Sequence, residues 1–272
     1  MKYILPIVLL MCDASQWGQQ DGDPITIGHY YKIDSTILKE ERLLQIHLPR
    51  DYDPRAEKRY PVLYCLDGEY CFASSVTTVE QTVYFEEAEG VPAMIVVGIP
   101  NPSRECRDRD MFPGQTVGTG SSRFLQFIKQ EVIPFVDTHY LTDGTQHLMG
   151  QSSSGFFAWW TQLQEPTLFQ GIIATSPSFA TCRPYMVDEI QAHVNNENLN
   201  KAYLYLARGG LGREEGVAES LGMLLPLLAP AQGLTIRVKV YEELGHVPYP
   251  ALYDALKTMG TDRLWQPTSR GR

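Results

Sequence analysis

The segment LMGQSSSGFF carries three adjacent serines between a short apolar run and an aromatic run. A nucleophile elbow holds a serine on a sharp strand-to-helix turn, written G-x-S-x-G because the residues two before and two after the serine must be small. In the register of Ser152 those positions hold Gly150 and Ser154, whereas the register of Ser153 puts the long side chain of Gln151 at one of them. The motif therefore predicts Ser152 as a nucleophile, with Ser153 as the alternative register.

A serine hydroxyl is a weak nucleophile and needs a histidine base, itself oriented by a carboxylate. The chain order that accompanies such an elbow is serine, acid, histidine. Two histidines follow Ser152: His193, in a polar helical pattern, and His246, in EELGHVPYP after the last strand pattern. We expect His246 to be the base, because the loop that leaves the final strand is where this architecture brings its histidine, and His193 to be a solvated surface residue.

The acid should follow the strand pattern AYLYLARGG, on a loop that continues LGREEGVAES. Glu214 and Glu215 are the two candidates, and at least one of them must be a solvated acid at a helix N-terminus. We expect Glu214 to be the inward residue, because Glu215 leads into a helix whose apolar face begins at Val217. The choice between the two stays open at this point.

Backbone N–H groups must also stabilise the oxyanion that forms when a serine attacks a carbonyl. One donor comes from the residue after the nucleophile, here Ser153, and the second from the loop after an early central strand. The segment LYCLDGEY supplies that loop, with Gly68 or Glu69 as the donor.

These residues need a sheet to position them, and the apolar patterns predict one. HYYKIDST and RLLQIHLP alternate apolar and polar residues, which is typical of half-buried antiparallel strands, and LTIRVKVYEE alternates again, as expected near a sheet edge. The runs between them are short and nearly continuous, as in strands covered on both faces: YPVLYCLDG, AMIVVGIP, QHLMG, GIIATSP and AYLYLARGG.

Helical periodicity separates several of these runs, over residues 121–138 and again over 217–228. Strands that alternate with helices predict an α/β fold with a mostly parallel central sheet and helices on both faces. Ligands of such sheets bind beyond the carboxyl ends of the strands. No linker-like segment divides the chain, so we predict one α/β-hydrolase domain over residues 21–272.

The 272 residues carry a formal net charge of −9 and no cluster of Lys and Arg, which argues against nucleic acid or an anionic membrane as a partner. The start of the chain, Met1 and Lys2 followed by YILPIVLLMC, is too short to span a bilayer. It predicts a signal or anchor segment over residues 1–20, with cleavage after Ala14 or lipid modification of Cys12. The protein is then exported, periplasmic or secreted; the alternative is a buried first strand and a cytoplasmic protein.

Taken together, the chain resembles the esterase D and enterobactin-esterase-like group of α/β-hydrolases over roughly residues 30 to 258. The resemblance is carried by YPVLYCLDGEYCF, AMIVVGIPN, RDRDMFP, FLQFIKQEVIPFVDTHY, LMGQSSSGFFAWW, LFQGIIATSPSF and EELGHVPYPALYDALK. It implies a serine carboxylesterase, in a group whose members act on siderophore trilactones, feruloyl or acetyl sugars, S-formylglutathione and simple acyl esters. It also implies that Ser152 and His246 are nucleophile and base, and that the glutamate pair holds the acid.

The resemblance places Arg107 and Arg109 in an arginine-rich segment beside the substrate pocket, and we add Trp159 to the predicted substrate-binding residues. The chain departs from the family pattern at the elbow, where His-Ser-x-Gly-Gly is usual and this chain has Gln-Ser-Ser-Ser-Gly. The extra hydroxymethyl group at Ser154 is expected to tilt the elbow. The acid loop, GGLGREE, is also longer than usual.

The resulting hypothesis is a carboxylic ester hydrolase that forms an acyl-enzyme on Ser152, acts on a small-molecule ester and needs no cofactor and no metal. An acyltransferase, in which an alcohol replaces water, is the alternative within enzymes. A catalytically inactive binding protein of the same fold is the alternative from another class, although a scaffold without activity has no need of a serine, an acid and a histidine in this order. Neither the identity of the ester nor the oligomeric state follows from the sequence.

Overall fold

A computed structural model of the chain describes residues 23–85, 90–113, 120–179 and 182–265. The predicted signal segment, residues 1–20, and the lipidation candidate Cys12 lie outside these ranges. Within them, no helix combines the length and the apolarity that crossing a lipid bilayer requires.

In the described ranges, the strands form one eight-stranded sheet in the order β1-β2-β4-β3-β5-β6-β7-β8. From β4 to β8 all neighbouring strands are parallel, whereas β1 pairs with β2, and β2 with β4, in antiparallel fashion. The mostly parallel sheet and the strand positions predicted from the sequence are thereby confirmed. The strands are β1 His29–Ser35, β2 Glu40–His47, β3 Tyr60–Leu66, β4 Ile95–Ile99, β5 Thr142–Gln151, β6 Gly171–Thr175, β7 Tyr203–Gly209 and β8 Thr235–Tyr241.

Side chains of each central strand alternate between two separate cores, because successive residues of a strand point to opposite faces of the sheet. In β3, Val62 and Tyr64 belong to the core on one face, and Leu63 and Cys65 to the core on the other. Every residue of β3 is buried. A continuous apolar run is thus what a strand covered on both faces requires, while β8, at the sheet edge, is only partly buried.

The helices that cover the sheet are α1 Gly68–Tyr84, α2 Arg104–Met111, α3 Ser121–Phe127, α4 Ile133–His139, α5 Ser153–Gln164, α6 Arg183–His193, α7 Glu214–Leu224 and α8 Ala251–Thr261. Buried residues of α1 and α8 fill one core, and those of α3 to α7 fill the other. Both predicted helical segments are confirmed, each with a modified turn: α7 continues as a 3₁₀ turn, Leu225–Leu228, and a π-helical turn, Ile128–Val132, joins α3 to α4. Pro134 follows this π turn, and a proline has no N–H for an i→i−4 bond.

The carboxyl ends of the parallel strands meet along one edge of the sheet, and each predicted site segment begins there. Gly68 opens α1 just after β3, Ser152 follows β5, Glu214 opens α7 after β7, and His246 lies in the loop after β8. The topology therefore brings together segments that are far apart in the sequence, at the edge where open α/β sheets bind ligands.

Candidate active site

Ser152 occupies a strained turn between β5 and α5. Its backbone has φ 57° and ψ −118°, outside the region that side-chain-bearing residues ordinarily adopt, and its N–H donates to the carbonyl of Thr175 at 2.9 Å. The turn brings Gly150 so close to the next helical turn that a Cβ at position 150 would overlap the carbonyl group of Ser154. This is the close approach for which the motif requires a small residue, and it occurs in the register of Ser152.

Ser154 is accommodated by hydrogen bonds, so the elbow keeps its strand-turn-helix form despite the extra hydroxymethyl group. Its hydroxyl oxygen is fully buried, accepts from the N–H of Gln151 at 2.7 Å, and faces both the carboxylate of Asp67 and the carbonyl of Gln151 at 2.8 Å. The structure thus gives this departure from the family pattern a specific set of partners.

Glu214 and His246 are in direct contact. The imidazole Nδ1 lies 2.6 Å from Oε1 of Glu214, whose side chain is 0% exposed. The second carboxylate oxygen accepts from the hydroxyl of Ser176 at 2.9 Å and from the N–H of Gly209 at 3.0 Å. Glu215 is exposed. Of the two glutamates that the sequence left open, the structure brings Glu214 to the histidine and leaves Glu215 at the surface.

Ser176, which is not among the residues predicted from the sequence, binds both Glu214 and the loop of His246. Its hydroxyl also accepts from the backbone N–H of Val247, the residue after His246, at 3.0 Å. Its own N–H donates to the carbonyl of Ala207 at 2.7 Å, and its φ is 45°. The signal available in the sequence was its position, directly after the buried strand run GIIAT at the carboxyl edge of the sheet.

Ser152 and His246 line the same cavity of about 260 Å³, together with Phe179, Val217 and Arg213. A second cavity, of about 640 Å³, also opens on Ser152 and is more polar in its lining, with Asn101, Ser103, Arg104, Arg107 and Asp108. The serine therefore stands between a small cavity with an apolar wall and a larger one rich in charged side chains. His193, the histidine set aside in the sequence, binds the carbonyl of Glu189 through Nδ1 at the end of α6.

The predicted oxyanion donors lie at the first turns of two helices. Ser153 opens α5 and lines the larger cavity with Ser152. In α1, the N–H groups of Tyr70 and Cys71 donate to the carbonyl of Asp67, and those that precede them in the first turn have no intrahelical acceptor. Both alternatives in that turn line a cavity with Gln45, but of the two Glu69 alone also lines the larger cavity beside Ser152.

Only one of the three predicted substrate-binding residues lies at these two cavities. Arg107 lines the larger cavity and binds Asp67 through Nε and Nη2 at 2.7 and 2.6 Å. The prediction for Arg109 is corrected, because its guanidinium is held by Glu40 and Asp110 and lines neither cavity.

The prediction for Trp159 is also corrected. Its side chain is 1% exposed and packs edge-on against Phe179 at 5.1 Å between ring centroids. The residues of α5 from Ser153 to Leu163 are all buried. A helix that is buried all round is a core helix, and the apolar run FFAWW in the sequence indicates one.

Comparison with known proteins places these observations in a family. The family model described as Putative esterase matches residues 35–265. Ferri-bacillibactin esterase BesA of Bacillus subtilis is 28% identical over 196 residues, which cover 63% of this chain and 67% of BesA. An IroE-like serine hydrolase from Shewanella oneidensis superposes with a TM-score of 0.71 at 26% identity, covering 86% of this chain and 80% of that one.

A more distant structure, siderophore hydrolase EstA from Aspergillus nidulans, superposes with a TM-score of 0.71 at 19% identity over 88% of this chain and 98% of its own. At that identity the likeness concerns the fold. Together, the matches confirm the α/β-hydrolase fold, the resemblance to the enterobactin-esterase-like group and a carboxylesterase-type activity.

The close approach at Gly150 yields a direct test of the elbow geometry. We expect Gly150→Ala to lower the free energy of unfolding by about 2 kcal/mol or more, since its Cβ would displace backbone and not a flexible side chain. The rate of ester hydrolysis should fall as well, because the displaced backbone carries Ser152. Gly222→Ala on α7 is the matched control, because nothing lies within 4 Å of its Cβ position, and it should be neutral or stabilising by up to ~1 kcal/mol. If urea unfolding showed Gly150→Ala to be as stable as the wild type, the close approach of Gly150 to the backbone of Ser154 would be contradicted.

Proposed function

The chain belongs to the putative esterase family, and we propose that it hydrolyses a siderophore-type, anionic small-molecule ester through an acyl-enzyme on Ser152. The observation that carries the proposal is the contact between the fully buried Glu214 and His246, in a cavity that also opens on Ser152. A histidine held at one nitrogen by a buried carboxylate, beside a serine on a strained turn, is the arrangement that activates a hydroxyl.

In the proposed reaction, Oγ of Ser152 attacks the ester carbonyl and its proton passes to Nε2 of His246. With Nδ1–H donating to Glu214, the other nitrogen of the neutral ring is an acceptor, so the carboxylate fixes the tautomer that the step needs. The imidazolium then returns the proton to the leaving alcohol. A water molecule repeats the sequence on the acyl-enzyme, releases the acid and regenerates Ser152, so that water is the only second reactant.

The negative charge on the carbonyl oxygen during both attacks is proposed to be stabilised by two backbone N–H groups. Ser153 supplies one from the first turn of α5, and the first turn of α1 supplies the other, with Glu69 favoured over Gly68 by its position at the larger cavity. Both helices direct the positive ends of their dipoles toward the same edge of the sheet. Donors that are fixed before the reaction cost no reorganisation when the charge develops.

The proposed substrate class rests on charge. Arg213 is exposed, lines both cavities beside Ser152, and forms none of the ion pairs found among the described residues. Arg104 and Arg107 line the larger cavity as well, but each faces an acid: Asp108 lies 3.9 Å from Arg104, and Asp67 lies 2.6 Å from Arg107. In a chain with a net charge of −9, an uncompensated arginine beside the nucleophile favours an ester that carries negative charge.

The names of the relatives agree with this substrate class, since BesA is a ferri-bacillibactin esterase. We therefore favour a siderophore-type ester over a feruloyl or acetyl sugar. We also propose, from the pattern of residues 1–20 alone, that the enzyme is exported.

The identity of the nucleophile can be read by covalent labelling. A fluorophosphonate probe should modify wild-type protein with loss of fluoride, because an activated serine oxygen displaces it from phosphorus. Peptide mapping should place the label on Ser152. Ser152→Ala should not be labelled and should lose ester hydrolysis by several orders of magnitude, whereas Ser153→Ala should still be labelled. If Ser152→Ala were labelled and Ser153→Ala were not, the nucleophile would be Ser153 and the motif would be read one residue too early.

The neighbouring glutamates form a matched pair for testing the acid. We expect Glu214→Gln to reduce turnover about 10⁴-fold, because the base loses the carboxylate that orients it. Glu215→Gln should stay within about twofold of the wild type, since a solvated side chain has no part in that contact. Steady-state kinetics on one aryl ester measures both. Near-wild-type turnover in both variants would mean that the enzyme works without Glu214.

The role of Arg213 is tested by substrate charge. Arg213→Gln should lower kcat/KM about tenfold for an aryl ester that bears a carboxylate, and by less than about twofold for its neutral isostere, since only the anion loses a charge-assisted contact. Arg55→Gln is the control, because Arg55 is an exposed arginine that lines neither cavity. If kcat/KM fell equally for both esters, Arg213 would not recognise the negative charge of the substrate.

A further inference from the structure

The carboxylate of Asp67 occupies the gap between the two segments that carry the proposed oxyanion donors. It is 3% exposed and follows β3 directly, with the backbone in the left-handed region at φ 55° and ψ 44°. Aspartate tolerates that conformation better than most residues. Asp67 lines neither cavity beside Ser152, so it is not placed to touch a substrate.

Four donor atoms lie within hydrogen-bond distance of this carboxylate, and one of them, the hydroxyl of Ser154, shares its single proton with the carbonyl of Gln151. Oδ1 accepts from Nε of Arg107 at 2.7 Å and from Nδ2 of Asn101 at 2.8 Å. Oδ2 accepts from Nη2 of Arg107 at 2.6 Å and lies 2.8 Å from the hydroxyl of Ser154. An ionised carboxylate has about four acceptor sites, and each additional bond narrows the range of positions that Asp67 can take.

Ser154 is the member of this set that belongs to the nucleophile elbow. Strands β3 and β5 are paired up to Cys65 and Met149. Past these residues, the two chain segments are no longer joined by strand pairing. The Ser154–Asp67 bond spans the segments just past that point. A longer contact, from Nη2 of Arg107 to the carbonyl of Gln151 at 3.4 Å, spans the same gap.

We infer that Ser154 is a positioning residue for catalysis, which through its bond to Asp67 fixes the first turn of α1 against the first turn of α5 and so sets the spacing of the two oxyanion donors. The inference rests on the proposed function and adds to it a residue that touches neither substrate nor base. Two donors on separate segments can bind one oxygen only if their separation is fixed to within a fraction of a hydrogen-bond length. A glycine at this position would leave Asp67 without its bond to the elbow.

The test removes the hydroxyl and measures transition-state affinity. Ser154→Ala keeps the Cβ and the helix, and Ser154→Gly serves as a second variant should the first fold poorly. We expect kcat to fall about tenfold, less than the loss of a whole oxyanion donor, with KM changed by less than about twofold.

The affinity of an arylboronic acid should fall by the same factor as kcat. This inhibitor forms a bond from boron to Oγ of Ser152 and presents a tetrahedral oxygen to the donors, while the serine proton passes to His246. The affinity of the carboxylic acid product, which forms no tetrahedral centre, should not change.

Two comparisons separate positioning from general stability. Ser75→Ala removes another fully buried serine hydroxyl, one that faces Met149 and not Asp67, and should leave kcat and boronate affinity as in the wild type. If Ser154 acts through Asp67, the Ser154→Ala change should have less than about a twofold effect in an Asp67→Asn background. Full additivity of the two changes would overturn the inference.

The outcomes also separate this inference from the proposed function. Wild-type protein that is inhibited by the boronic acid through Ser152, together with a Ser154→Ala variant that binds it equally tightly, would overturn only the positioning role. A Ser152→Ala variant as active as the wild type, with no boronate inhibition of either, would overturn the proposed function itself. A fall in thermal stability of Ser154→Ala with unchanged kcat would show that the bond is structural only.

Discussion

A carboxylate withdrawn from water must be given hydrogen-bond donors in place of its hydration, and at Glu214 those donors come from three different segments of the chain. The imidazole of His246, the hydroxyl of Ser176 and the N–H of Gly209 all face it. Each donor lies at or just beyond the carboxyl end of a different strand, so satisfying one buried charge ties the last three strand ends together. Because Ser176 also accepts from the N–H of Val247, the histidine loop is bound both at the ring of His246 and at the residue that follows it.

On the other side of Ser152, a second buried carboxylate has a comparable place in the structure. Asp67 joins the end of β3 to α2 through Arg107 and to the elbow through Ser154. Ser152 therefore stands between two acids that differ in their partners: one is bonded to a histidine that can exchange a proton, the other to an arginine that cannot. The first contact is suited to moving protons, and the second to holding backbone in place.

The sequence predicted most of the fold, because the strand patterns are unambiguous once continuous apolar runs are distinguished from alternating ones. It also predicted the turn at Ser152, since the steric requirement at Gly150 is local and can be read from adjacent letters, while the role of Ser152 as a nucleophile stays a prediction. It left Glu214 and Glu215 open because neighbouring side chains on a loop point in directions that only the folded backbone decides. Ser176 and Asp67 were missed for a related reason: each directly follows a strand at the carboxyl edge of the sheet, but the contacts that give them significance cross that edge and are set by the folded backbone. The prediction that Trp159 contacts the substrate is wrong, and the apolar run around it indicates a buried helix instead.

Arg213 and Glu214 are consecutive residues at the start of α7, one exposed and lining the two cavities beside Ser152, the other fully buried. The peptide unit between them is therefore shared by the group proposed to choose the substrate and the group proposed to orient the base. Inserting or deleting residues in this loop to alter substrate preference would move Arg213 and Glu214 together. Side-chain replacement at position 213 leaves the backbone of position 214 undisturbed, so libraries that vary residue identity at fixed loop length are the ones in which selectivity can change while turnover is retained.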